Sequence, residues 1–128
     1  DVESTKITND EDHRHSHIKS TKIAKEKLTE YALNPSKALD KAKAFESALG
    51  YTLENYEDLI DNINDHLDID KLKEWGDSGY GMRYQQIIRL KGPNEKEANV
   101  LTAWILDNGE LRLTSVYVTK KEDKRDEN

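Results

Sequence analysis

The stretch EANVLTAWILDNGELRLTSVYVT, residues 97–119, decides how this chain folds. Asn108-Gly109 stands at its centre, a pair that tolerates the positive φ of a two-residue type I′ turn, with alternating apolar residues on both sides. The pattern predicts a hairpin of two strands, 97–107 and 110–119. The first strand is apolar on both faces, as suits a central strand. Val100, Thr102, Trp104 and Leu106 lie on one side, and Leu101, Ala103 and Ile105 on the other. Counting back from the turn pairs Trp104 with Leu113, Ala103 with Thr114, Thr102 with Ser115 and Val100 with Tyr117. In that register Thr102, Trp104, Ser115 and Tyr117 share the candidate functional face, and Thr114 points away from Thr102 and Tyr117. Leu101, Ala103, Ile105, Val116 and Val118 then form the better bed for helices. The plainer alternative for the first face is a Thr–Ser pair and two aromatics packed on a neighbouring surface.

Working outward, Met82–Lys91 alternates with period two and reads as a third strand, leading into a turn at Gly92-Pro93-Asn94. Gly76, Gly79 and Gly81 separate it from an upstream region whose period is 3.6. There Ala24, Leu28, Tyr31 and Ala32 predict a helix from about Ser20 to Leu33, capped by Ser20 or Thr21 and ended by Asn34-Pro35. Ser36 is expected to cap a second helix, Lys37 to Leu49, with Ala38, Ala42, Phe45 and Leu49 inward and Gly50 as its left-handed terminator. A third helix, Leu53 to Leu67, carries the stripe Tyr56, Leu59, Ile60, Ile63 and Leu67, and Asp70 is expected to cap a last turn through Trp75. The expectation is an α+β fold: three N-terminal helices packed on one face of a C-terminal three-stranded, or slightly larger, antiparallel sheet. Residues 1–18 read as a flexible arm, 19–119 as one domain and 120–128 as a charged tail.

At 128 residues the chain suits one hydrophobic core. Only 34% is apolar and 36% charged, yet the apolar residues fall in stripes, which argues for a folded domain. The net charge of −6 is uneven. Residues 52–81 hold nine acidic against two basic groups, whereas 19–51 hold seven basic against four acidic. A local field can oppose the global sign, so an RNA site is permitted despite the acidity. The absence of cysteine excludes disulfides and thiolate metal sites. No window approaches the roughly 18 consecutive apolar residues of a membrane span, and no signal-peptide h-region opens the sequence. Walker, GxGxxG, HExxH and GxSxG motifs are missing. His13, His15 and His17 would share a face on a strand, but a solvated linker is the plainer reading. Asp61, Asp65 and Asp68 have spacings that could hold a cation, and a solvated helix face explains them more simply. His66, near a helix end, suits the helix dipole.

The segment YALNPSKALDKAKAFESALGYTLEN (31–55), followed by YGMRYQQIIRLKGPN (80–94), VLTAWILD (100–107) and LRLTSVYV (111–118), resembles a family of small bacterial domains. That family appears as C-terminal toxin modules of polymorphic toxins and contact-dependent growth inhibition effectors. The order of helices before a meander is similar to the barnase/EndoU/colicin/RelE class of ribonuclease toxins. The resemblance implies a ribonuclease acting on tRNA, carried by a secreted or cell-surface effector into the cytoplasm of a target bacterium. Its partners would be RNA and a cognate immunity protein, with room for a host-cell activating factor, and no cofactor.

Metal-independent RNA cleavage needs a base for the 2′-OH, a stabiliser of phosphate charge and a donor for the leaving 5′-oxygen. The positions matching the family pattern are Lys41, Thr102, Trp104, Thr114 and Tyr117. Lys41 is expected as charge stabiliser or base, Tyr117 as proton donor and Thr102 as phosphate ligand, with Thr114 catalytic or structural. Trp104 would stack a base, and Lys43 and Arg83 would hold the backbone. The competing readings are a non-catalytic immunity-like or adaptor protein that binds through the acidic third helix, and an accessory domain with a structural role.

Overall fold

The computed structural model describes residues 18–77 and 79–122; the arm and its histidines at 13, 15 and 17, and residues 123–128, lie outside them. Among these residues five strands form one sheet: β1 (Ser20–Lys22), β2 (Lys73–Asp77), β3 (Met82–Lys91), β4 (Glu97–Asp107) and β5 (Glu110–Thr119). Their order is β1-β5-β4-β3-β2, antiparallel throughout except where β1 runs parallel to β5. Two α-helices, α1 (Leu39–Leu49) and α2 (Tyr56–His66), and a π-helical segment, Leu28–Ala32, precede the β3–β4–β5 meander. The helices lie on one side of the sheet, where Leu28, Phe45, Leu49, Leu59 and Ile63 meet Tyr84, Ile88, Val100, Trp104, Leu111 and Val116 in a single buried cluster. No described helix is long and apolar enough to cross a membrane.

The meander runs over the expected residues in all three strands. Asn108 and Gly109 take φ values of 53° and 83° at the hairpin, the positive pair that a type I′ turn demands. The helical region departs more. The expected first helix is replaced over Ser20–Lys22 by β1, because these residues find a strand partner in Glu110–Arg112. Only its second half is helical, and Leu28 and Ala32 are buried there while Tyr31 is exposed. Ser36 does not cap α1. Asn34 Oδ1 takes the Ser36 amide at 2.9 Å and the Asn34 carbonyl takes the Lys37 and Ala38 amides, so the helix starts only at Leu39. The box at the head of α2 is complete: Thr52 Oγ1 accepts from Glu54 N and Asn55 Oδ1 accepts from Thr52 N at 2.7 Å. Asp68, not Asp70, caps the short turn Ile69–Lys71, and the expected continuation through Trp75 is instead β2, drawn out by pairing with β3.

The hairpin register corrects the expected faces. Trp104 does pair with Leu113, but a β-bulge follows and Thr114 is the extra residue. Ala103 then pairs with Ser115, Thr102 with Val116 and Leu101 with Tyr117. A one-residue slip exchanges the two faces of a strand. Leu111 and Leu113 before the bulge and Val116 and Val118 after it therefore all reach the helix side. Trp104 and Thr102 lie there too, each 0% exposed. Ser115 and Tyr117 join Leu101, Ala103 and Ile105 on the opposite, open face. The exchange falls on β4. Thr102 and Trp104, expected on the functional face, are in the core, and Leu101, Ala103 and Ile105, expected under the helices, are on the open face. Ser115, Tyr117, Val116 and Val118 of β5 lie on the faces expected of them.

The β3–β4 turn is seated on the end of α1. A Cβ added to Gly92 would lie 2.0 Å from the Leu49 carbonyl oxygen, so the backbones touch where no side chain fits. Gly92→Ala is expected to cost about 1–3 kcal/mol of stability through this overlap, read as a lower urea midpoint with an unchanged slope.

Candidate functional site on the free edge of β5 and the open sheet face

Because β1 is short and pairs only with Glu110–Arg112, the rest of β5 has no strand on its outer side among the described residues. Two irregularities meet along this edge: the π-helical segment and the β-bulge at Thr114. Both kinds of distortion concentrate at functional sites, since each re-aims side chains that a regular element would hold in line. Between them is a pocket of about 230 Å³ lined by Lys27, Tyr31, Lys41, Thr114 and Ser115. Lys41 projects from the first turn of α1 to place Nζ 5.2 Å from the centroid of the Tyr117 ring, a cation–π contact at the rim of the open face. Thr114 Oγ1 donates to the Ala103 carbonyl at 3.1 Å, which pins the bulge.

Ser115 links this pocket to a shallow groove on the open face, whose other walls include Trp75, Arg83, Gln85, Leu101 and Tyr117. Trp75 is 65% exposed, and its Nε1–H donates to Gln85 Oε1, which orients the indole along the groove. Lys27, Lys41 and Arg83 have no carboxylate partner among the described residues, so their charge is available to an anion. Arg112 on the same face is held by Glu110 at 2.8 Å and Asp107 at 3.6 Å. Glu57, Asp58, Asp61 and Asp65 project from the outer face of α2, on the far side of the molecule. The segregation of charge along the sequence thus becomes a segregation between faces.

Of the expected site residues, Lys41, Thr114 and Tyr117 are brought together around the β5 edge, and Arg83, on β3, shares the open-face groove with Tyr117. Thr102 and Trp104 are not among them. Thr102 Oγ1 donates to the Gln86 carbonyl and accepts from Trp104 Nε1, both at 2.8 Å, a closed relay inside the core that cannot touch RNA. Lys43 is also separated: residues two apart on a helix face different ways, and Lys43 lines another hollow with Glu46 and Leu53. Trp75, which supplies the exposed indole, lies on strand β2 and not at the expected end of a helix. Its flanking glycines, Gly76 and Gly79, were the available signal for an extended segment. The bulge also had a signal, the slip of the apolar phase in β5 from odd to even between Leu113 and Val116.

Burial pushes the Tyr51 phenol up, opposed by the hydrogen bond from Asn62 Nδ2 at 2.8 Å and reinforced by the nearby charge of Asp58. Burial, and then the charge of Glu74, raise Tyr84. Both phenols stay protonated near neutral pH and serve the core. Among the described residues no three histidine, aspartate or glutamate side chains converge as a metal site requires, Asp61, Asp65 and Asp68 included.

The fold and site together define a one-sided α+β sheet domain with a basic, aromatic open face. The chain belongs to the DUF6883 family, described as a domain of unknown function, whose profile matches residues 14–120. No curated protein and no solved structure matches the chain.

Proposed function

We propose that the protein is a ribonuclease of the interbacterial toxin type, cutting single-stranded segments of RNA, with tRNA as the substrate class. The observation that carries this reading is the Lys41–Tyr117 pair at the rim of a groove that also holds an exposed indole and an arginine with no carboxylate partner among the described residues. Exposed aromatics stack bases and cations hold phosphates, and a sheet face left without helices admits an unstacked strand. The Lys41 ammonium would neutralise the charge that builds on the non-bridging oxygens as the 2′-oxygen attacks phosphorus. The 2′-OH proton passes to water, the P–O bond to the 5′-oxygen breaks, and the Tyr117 phenol protonates that leaving oxygen. A 2′,3′-cyclic phosphate results. In the cell that makes it, an immunity protein would cover this face, and delivery would be as part of a secreted or cell-surface effector.

A second reading, a non-catalytic adaptor or immunity-like protein, draws on the exposed acidic face of α2, which suits capture of a basic partner. Induced expression in bacteria separates the two. The ribonuclease reading expects arrested growth and shortened tRNA, with purified protein cutting tRNA equally well with and without EDTA. Normal growth at full soluble expression, with intact tRNA, overturns it and leaves the adaptor.

A further inference from the structure

The opposite edge of the sheet carries a second set of cations. Among the described residues β2 covers β3 only as far as Gln85. A polar cleft of about 760 Å³ runs along this edge, with His66, Lys71, Lys73 and Arg89 on its walls. Its shape is set by Gln86, which is 4% exposed and clamps the backbone of Asp68 both ways. Gln86 Oε1 accepts from Asp68 N at 2.9 Å and Nε2 donates to Asp68 O at 2.8 Å, holding the loop after α2 against the strand.

His66 Nδ1 lies 2.9 Å from the Asn62 carbonyl. A carbonyl only accepts, so Nδ1 carries the proton, and Nε2 has no partner among the described residues. His66, the last residue of α2, stands at the end of the cleft beside this loop. The cleft holds Asp68 and Glu122 against its three cations. Lys71 is 4.0 Å from Asp68, and Arg89 is 3.3 Å from both Glu97 and Asn99. Both cations are 59% exposed, so these pairs are weak and a doubly bonded phosphate can replace them.

We propose that this cleft is a phosphate site that takes the backbone of single-stranded RNA as it leaves the open sheet face. The identity of the occupant rests on the ribonuclease reading. The two sites adjoin: Lys73 pairs with Gln85, so it shares the open face with the groove and also lines the cleft. From β5 to β3 is two strand spacings, about 10 Å, so one strand of RNA can touch Tyr117, Trp75 and the cleft in turn.

The test uses the full chain and a fluorescent 2′-O-methyl oligouridylate of about a dozen nucleotides, which binds without being cut. Lys71→Ala with Arg89→Ala is expected to weaken binding at least tenfold and to lower the slope of log K against log salt by about 1.4, the counterion share of two phosphate contacts. Trp75→Ala is expected to weaken binding with the salt slope unchanged, since stacking releases no counterions. Unchanged circular dichroism shows that the variants fold. If the wild type binds and the double variant binds equally well, the cleft is overturned and the open-face reading stands. If the wild type does not bind, the RNA occupant fails. Amide shifts at His66–Lys73 and Arg89 on adding pyrophosphate, without oligonucleotide binding, would replace RNA with free phosphate as the ligand.

Discussion

Lys41→Ala is expected to lower RNA cleavage by about 10²–10³-fold and to abolish growth arrest, with no loss of folded protein. The size follows from the role: a fixed positive charge aimed at developing phosphate charge acts mainly in the transition state, so kcat should fall more than KM rises. Lys41 is exposed on α1 and its contact with Tyr117 is worth at most about 1 kcal/mol at such a site, so stability should barely move. Lys41→Arg keeps the charge and should retain more activity than alanine. Tyr117→Phe keeps the ring under Lys41 and removes only the hydroxyl. If the phenol protonates the leaving oxygen, cleavage should drop by about 10²–10⁴-fold, and a substrate with a better leaving group should lose much less. Full activity in Lys41→Ala and Tyr117→Phe would move the site elsewhere, even if RNA is cut.

Trp104→Ala is expected to cost about 3–5 kcal/mol, enough to unfold much of a domain whose total stability is of order 5–15 kcal/mol. The indole is the largest fully buried side chain and stands at the centre of the sheet's inner face. Urea denaturation with tryptophan and far-ultraviolet signals measures this. Thr102→Val is the sharper probe, because it keeps volume while taking the acceptor from Trp104 Nε1 and the donor from the Gln86 carbonyl. Leaving buried polar groups unpaired should cost about 1–3 kcal/mol. In Thr102→Val the remaining folded protein should cleave RNA at the wild-type rate. A specific loss of activity there would return Thr102 to the site.

The meander was legible because its information is local. Alternation with period two, a strand apolar on both faces and an Asn-Gly turn act within a few residues of each other, and the three strands fall where those signals put them. Helix α2 was equally legible through its apolar stripe, whereas the Thr52–Asn55 box at its head came to light only in the structure. The edge strands were not. Ser20–Lys22 and Lys73–Asp77 are short and exposed, and their conformation comes from a partner distant in sequence.

The sequence by itself determined the α+β class, the hairpin with its turn, and the separation of an acidic helix from basic segments. Tertiary structure decided which sheet face is open. That choice hangs on Thr114, whose bulge shifts the β5 register by one residue and sends Trp104 and Thr102 inward while Tyr117 turns outward. A side-chain period of two makes a single inserted residue reverse everything beyond it, and burial of the indole against two helices outweighs any local preference in settling where that insertion goes. Lys41 and Tyr117, 76 positions apart in the chain, meet only because of it.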